Sequence, residues 1–310
     1  MEMEKMKALE SSFRKIYSQN SKDFPYNVQL LNTIKSFRKT HDGKLFFDLL
    51  LTEIAFIPHP EKLYPPKTFS DLKKLYFAVE NSQIDELKKN CYHYYVLKDW
   101  NMDEKFSCDV FIPIIYRKLM DSYWYLDRMR FQDAFSSLCT PNLIPNFPEK
   151  ILNSFYFLSG ERGPQMTVAY ISLMSLPLDT DEKLNLYMSA LIKVDIPSAY
   201  SFLKCCFILK VTFFEKIIEH CLSTPQSTKW ILELPFTKEE EEQLISYLKK
   251  ASHALSKKIL FIYLINKGKR IEAIELSKSI GSDFSKSIEI ADFIKGLNKS
   301  LLPVEKKIIL

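Results

Sequence analysis

Glycine is scarce enough in this chain to decide its fold class: 310 residues contain only 6 glycines. Proteins use roughly 7% glycine on average, and sheet proteins spend much of it in turns that need positive φ. A chain with so few such turns is built from helices joined by short connections. The 15 prolines fall mostly between apolar stretches, where they start or stop helices without breaking them. No pair of segments shows the alternating pattern and turn residues of paired strands.

Helix signals recur throughout. Leu30, Ile34 and Phe37 share one face of a helix that ends before Asp42-Gly43. The run from Lys44 to Ile57 is apolar nearly all round and predicts a central, heavily covered helix. Pro58, Pro60, Pro65 and Pro66 mark a loop over 57–68, the best candidate for a sub-domain joint within a single helical domain over 1–310. Helices are predicted at Ser70–Val79, at Gln83–Tyr95 and from about Asp109 to Leu126. The last would place Phe111, Ile115, Leu119 and Tyr123 in register, with Pro113 in or near its first turn. Further on, Asp179 with Glu182 forms a capping-box pattern, Asp195 precedes Pro197 as a cap, and Thr237 with Glu240 forms a second box. The acidic run Glu239–Glu242 then sits at the positive end of its helix dipole and Lys249-Lys250 at the negative end, so the run is helix-start chemistry. Gly268 and Gly281 are placed to end helices.

Three joints look alike. Tyr125-Leu126 leads through a polar turn to Asp133-Ala134-Phe135, Leu191-Ile192 to Ser198-Ala199-Tyr200, and Tyr263-Leu264 to Glu272-Ala273-Ile274. Each is a helix, a turn and a helix whose small alanine permits close packing. Repeated without a fixed period, such units predict an all-α, irregular α-solenoid of antiparallel helical hairpins, a fold that presents long surfaces and rarely closes a catalytic pocket.

The remaining numbers exclude more than they suggest. Net charge is +5, from 43 basic and 38 acidic side chains, spread too diffusely to mark a nucleic-acid surface. The six cysteines (Cys91, Cys108, Cys139, Cys205, Cys206 and Cys221) stand in apolar surroundings with no Cys-x-x-Cys pair, the pattern of free buried thiols. The N-terminal MEMEKMKALESSFRK is charged and helix-forming, unlike a signal peptide. The most apolar runs, Leu45–Ile57 and Cys205–Phe214, carry Asp48, Glu53 and Lys210 and fall short of the ~20 residues a membrane span needs.

Phosphate-loop, dinucleotide-binding, zinc-protease and nucleophile-elbow motifs are all missing from the sequence. The histidines are His41, His59, His93, His220 and His253; Cys91-Tyr92-His93 and His220-Cys221 lack the paired spacing of a zinc site. The Asp179/Asp181 pair is accounted for by capping. Phe and Tyr recur at helical spacing among Leu and Ile, as core side chains do. No catalytic residue, cofactor or metal is expected.

One stretch carries a resemblance. YYVLKDW is followed by a helix ending YWYLDRMRFQDAF, with Tyr123, Trp124 and Leu126, then by the small-residue pair Asp133-Ala134. Next comes a proline-flanked segment: Pro141, Leu143, Ile144, Pro145, Phe147, Pro148, then Lys150, Ile151 and Leu152. This order resembles the ELYS-like domain of fungal and animal nucleoporins, and the likeness extends more weakly over about residues 30–235. The segment's expected role is structural, an extended crossing that drops Ile144 and Phe147 into the core. The resemblance implies an α-helical scaffold nucleoporin of the short fungal type, the helical domain only. Its partners would be other nucleoporins of the Y-shaped outer-ring subcomplex, near the arm with a small β-propeller nucleoporin, at the nuclear envelope. Large animal members add a propeller and a chromatin-binding tail with AT-hooks. The similar tripeptide here, Arg162-Gly163-Pro164, lacks the basic flanks of a minor-groove arm, so direct DNA binding is not expected.

Competing readings are a helical-repeat adaptor of another assembly (a vesicle coat or a proteasome-like particle), an RNA-binding helical repeat and an enzyme with an unfamiliar all-α site. The scaffold reading predicts exposed apolar or aromatic surface of more than a few hundred Å². The tail Ile308, Ile309 and Leu310, after Pro303, is a further candidate contact for a partner.

Overall fold

A computed structural model describes residues 2–17, 24–205, 210–224, 226–251, 255–279 and 296. All regular elements among the described residues are helical, as glycine scarcity predicts. The chain divides into two compact units, Met1–Tyr187 and Met188–Leu310.

The first unit contains α1 (Glu2–Tyr17), α2 (Val28–Thr40), α3 (Phe46–Leu49), α4 (Pro60–Leu63), α5 (Phe69–Glu80), α6 (Glu86–Leu97), α7 (Asp103–Asp109), α8 (Ile114–Asp127), α9 (Phe131–Leu138), α10 (Pro148–Asn153) and α11 (Gly163–Met174). Side-chain caps set several starts. Asn27, Thr68 and Asp85 each accept an amide hydrogen bond from the residue three positions on, opening α2, α5 and α6. α3 runs on as a wide π-helical turn, Leu50–Ile54, and the stretch from Leu45 to Leu51 is buried as its apolar run predicts. The Leu50 carbonyl accepts from both the Ala55 amide (3.1 Å) and the Tyr92 hydroxyl (2.9 Å), which ties this turn to α6. Aromatic rings fill the space around it: Phe47 stacks on Tyr95 at 4.2 Å and Phe46 on Tyr123 at 5.6 Å. The proline-rich segment 57–68 lies within this unit, and its Tyr64 ring packs 4.7 Å from Phe47.

The helix expected from about Asp109 to Leu126 is α8, which starts later, at Ile114; α7 ends at Asp109 and a break over 110–113 separates the two. Pro113 occupies the N-cap position of α8, next to its first turn as expected. It removes an amide and disfavours helical backbone at Ile112, so one helix cannot run through. Phe111 consequently leaves the predicted face, and the apolar residues that α8 buries are Met120, Tyr123 and Leu126.

The division between units falls within α12 (Asp181–Val194). Its cap is Thr180, whose hydroxyl accepts from the Lys183 amide, and not Asp179. Asp179 stands one residue too early and pairs with the Lys183 ammonium at 2.7 Å, while Glu182 accepts from Asn153.

The second unit adds α13 (Ile196–Cys205), α14 (Lys210–Ser223), α15 (Lys229–Glu233), α16 (Lys238–Lys250), α17 (Ser256–Asn266) and α18 (Arg270–Ser279). Asp195 precedes α13 and accepts from the Ser198 hydroxyl, and the Thr237–Glu240 box caps α16 as predicted. Leu203, Phe213, Ile217, Leu244, Leu248 and Ile274 are fully buried in its core. Gly268 takes positive φ (73°) just beyond α17, where a residue with a Cβ would be strained. Gly281 lies outside the described residues. The hairpins α8–α9 and α17–α18 pack directly, and the alanines of all three joints, Ala134, Ala199 and Ala273, are fully buried.

Candidate protein interface and the buried network behind it

The C-terminal end of α8 reads Leu126-Asp127-Arg128, and these residues organise the first unit. The Asp127 carboxylate is buried and accepts from the amides of Phe46 (2.7 Å) and Phe47 (3.0 Å) and from the Tyr95 hydroxyl (2.7 Å). Those amides open α3 and have no partner inside that helix, so Asp127 caps it from a helix far along the sequence. Burial pushes the Asp127 carboxyl up to about 6, against the lowering effect of the Phe47 and Phe46 amides and Tyr95. On the same helix start, Asp48 accepts from the Leu45 amide and from the Arg38 guanidinium at 2.7 and 2.8 Å.

Arg128 is bound as fully on its working nitrogen. Its Nη2 donates to both oxygens of Asp99 (2.7 and 3.0 Å) and to the Tyr64 hydroxyl (2.9 Å), and the guanidinium lies 5.3 Å from the Trp124 ring. Asp99 also accepts from Tyr26 (2.7 Å), Trp124 Nε1 (3.0 Å) and Tyr64 (3.2 Å). The carboxylates are thus committed to helix starts, hydroxyls, an indole and two guanidinium groups, an arrangement that locks helices together.

The family-motif residues fall around this network. Tyr123 is fully buried; its hydroxyl donates to the Asn146 carbonyl (3.1 Å) and accepts from the Asn146 amide (2.8 Å), which pins the proline-flanked segment to α8. Trp124 is half-buried on Asp99. Leu126 is buried and its carbonyl accepts from His41 Nε2 (3.0 Å), whose ring burial holds down to about 4. Asp133 pairs with Arg130 at the start of α9, and Ala134 is buried between α8 and α9. Pro141 is exposed, Pro145 is half-buried, and Pro148 is the first residue of α10. The expectation for Ile144 is corrected: it is 87% exposed, and Leu143 takes the core position. Successive residues of a non-helical run point to opposite sides, so burying Leu143 turns Ile144 outward. Phe147 is only half-buried, with left-handed backbone (φ 60°) at the N-cap of α10. Sequence reasoning missed Asp127, Arg128 and Asp99 as organising residues. The signal was there, in charged side chains among aromatic ones, Asp127 and Arg128 in the YWYLDR stretch and Asp99 in YYVLKDW. Ile308, Ile309 and Leu310 lie outside the described residues.

Large apolar side chains face solvent where α7 turns into α8. Phe111 is 86% exposed and Ile114 54%, and Ile115 and Tyr116 are exposed beside them. Ile112 between them is buried, and its amide bonds to the Ser107 carbonyl at 2.9 Å, which anchors the turn. Phe111 holds left-handed backbone at φ 55°, a conformation unfavourable for a bulky residue. Phe56, at the end of the π-helical turn, repeats the combination with φ 54° and 83% exposure. Strained backbone that holds an aromatic ring in water is a departure from both local and packing preference, and such departures gather at binding sites.

The other sequence candidates have local explanations. His93 is buried between the Tyr17 hydroxyl (3.1 Å) and Glu80 (2.9 Å), beside the buried Cys91. Cys108 and Cys205 are exposed, contrary to the expectation that all six thiols stand in apolar surroundings, and Cys206 lies outside the described residues. A Cβ on Gly163 would overlap the carbonyl oxygens of Tyr156 and Phe155, so the glycine of Arg162-Gly163-Pro164 serves close backbone packing at the start of α11.

The family model ELYS, described as nuclear pore complex assembly, matches residues 44–251. A Schizosaccharomyces pombe protein described as uncharacterized protein ely5 is 39% identical over 267 residues, covering 85% of this chain and 88% of its own length. Asp48, Tyr64, Tyr95, Asp99, Asp127, Arg128 and the Phe111–Tyr116 turn all fall within the matched residues. On that coverage and identity, the chain belongs to the ELYS family of nuclear pore complex assembly.

Proposed function

We propose that this chain is a structural scaffold nucleoporin of the pore's outer ring, docking onto the Y-shaped subcomplex near the arm with a small β-propeller nucleoporin. In that place it would support pore assembly and nucleocytoplasmic transport at the nuclear envelope. The family match runs through both compact units, which supports reading them as one functional module. The packed hairpins α8–α9 and α17–α18 are the kind of unit an α-solenoid repeats.

The observation that carries the docking reading is the Phe111–Tyr116 turn. It holds Phe111, Ile114, Ile115 and Tyr116 out from a rigid corner whose buried Ile112 fixes it. Aromatic and aliphatic anchors presented on a pre-ordered backbone are what a protein interface uses, because little entropy is lost on binding.

The test is co-purification of the tagged protein from nuclei in moderate salt, with mass spectrometry of the partners. Stoichiometric recovery of the Y-shaped subcomplex is expected from the wild type and not from a Phe111→Ser/Ile114→Ser variant that melts normally. Recovery of vesicle-coat subunits or ribonucleoprotein in its place would sink the reading.

A further inference from the structure

The second unit holds an open groove of about 1030 Å³ between α14 and α16. Its floor is apolar: Phe214 and Leu222 are covered, Tyr247 is half-covered, and Val211 stands exposed at one end. Its edges are acidic, with Glu215 and Glu219 on α14 and Glu239 and Glu242 on α16, all four exposed. Lys250 is the lysine or arginine on its lining among the described residues.

The acidic run 239–242 is split by helical geometry. Its inner pair is consumed by the fold: Glu240 binds Lys204 (2.6 Å) and Tyr200 (2.7 Å), and Glu241 binds Tyr263 (2.7 Å) and Lys267 (3.1 Å). Its outer pair, Glu239 and Glu242, lines the groove and makes no ion pair among the described residues, and the same holds for Glu215 and Glu219. Burial and then the charges of Glu219 and Glu215 raise the Tyr247 hydroxyl above its ordinary value, so these carboxylates act on the groove's interior. Glu215 and Glu219 are also like charges one turn apart, which disfavours the free helix.

We propose that this groove docks a lysine- and arginine-rich amphipathic helix of a partner protein. The apolar face of such a helix would lie on Phe214, Leu222 and Tyr247, and its cations would neutralise the four glutamates on both edges. The walls are helices of 14 and 13 residues, giving a trough about 20 Å long that suits three to four turns. Nucleic acid is disfavoured by the same charges. The groove belongs to the second unit and the Phe111–Tyr116 turn to the first, and docking in the groove does not depend on the pore reading.

The test titrates the full chain into a fluorescein-labelled synthetic peptide of about 18 residues, leucine on one face and lysine on the other, followed by anisotropy. Saturable binding is expected, weakened by salt and weakened roughly tenfold or more by Glu215→Lys/Glu242→Lys. A Glu219→Gln/Glu239→Gln variant, which adds no positive charge, should show a smaller loss, and circular dichroism melts confirm that both variants fold. Failure to bind, or binding that the charge-reversed variant leaves unchanged, overturns the proposal. So does hydroxyl-radical footprinting that finds Val211 and Tyr247 protected in the free chain, because the groove would then be filled by the chain's own residues.

Discussion

Tyr95 donates its hydroxyl proton to Asp127 across 2.7 Å, joining α6 to the end of α8 where α3 begins. α3 is four residues long before it widens into its π-helical turn, too short to hold itself by propensity. The carboxylate supplies what the helix lacks, two acceptors for its first amides. The interior of the first unit is therefore fixed by a tertiary cap, and the neighbouring Arg128 fixes it to Asp99.

Asp127→Asn leaves one acceptor for two amides and turns an NH₂ toward one of them, which should cost about 2–4 kcal/mol at about pH 4. The Asp127 carboxyl is raised from 3.8 to about 6 in the folded chain. A raised carboxyl binds its proton more tightly when folded, so its contribution is full below about 4 and is lost as pH rises through about 6. The gap between wild type and variant should thus narrow by roughly 2–3 kcal/mol between about pH 4 and pH 7. Urea denaturation at the two pH values measures it; a gap that widens refutes the assignment.

Arg128→Met leaves the Asp99 carboxylate buried without its cation and should cost about 3–5 kcal/mol. Arg128→Lys should restore only part of this, because one ammonium cannot reproduce the contacts of Nη2 with Asp99 and Tyr64 together with the stacking on Trp124. Full rescue by lysine in denaturant titrations would show that charge alone matters there.

Caps made much of this legible. Thr237 with Glu240, and Gly268, are local signals whose partners lie within a turn, and each stands where its spacing placed it. What lay beyond reach was tertiary. Asp127 caps a helix about eighty residues earlier in the chain, and no local pattern records that pairing. The choice of Leu143 over Ile144 for the core is a one-residue parity between two similar aliphatics, set by Tyr123 gripping Asn146. The helical spacing of Phe111, Ile115, Leu119 and Tyr123 misled because Pro113 splits the run and turns its first member outward. The role of Glu240 could have been read, since it shares the buried stripe of Leu244 and Leu248 at intervals of four.

In the second unit, burial alone would raise the Glu240 carboxyl, but Lys204, the Thr237 amide and Tyr200 overcome it and hold it down to about 2. A lowered carboxyl stabilises the fold above its unfolded value of 4.5, and that contribution is lost as pH falls toward about 2. Glu240→Gln should cost about 2–3 kcal/mol near neutral pH, with the gap closing on acidification. The neighbouring Glu239→Gln should stay within about 0.5 kcal/mol of wild type. Equal effects of the two in thermal melts would contradict the split of this acidic run.

Gly163→Ala places a methyl against the Tyr156 and Phe155 carbonyls, and those atoms belong to backbone that cannot swing aside. A loss of about 2 kcal/mol or more is expected, despite alanine's better helix propensity. A stabilised variant in a calorimetric scan would mean the backbone there has room to relax.

Phe111→Gly separates stability from binding. Glycine accepts the left-handed backbone at φ 55° without the Cβ penalty, and the lost ring is solvent-exposed, so little packing goes with it. Glycine's extra freedom in the unfolded chain offsets part of the gain, leaving a variant as stable as wild type or more stable by up to about 1 kcal/mol. If the ring is kept in this costly place for a partner, the same variant should lose most of its recovery with that partner from nuclei. Stability that holds while recovery falls identifies Phe111 as an interface anchor. A variant that destabilises the fold would mean the ring packs on its own chain, and undiminished recovery would move the contact elsewhere on the surface.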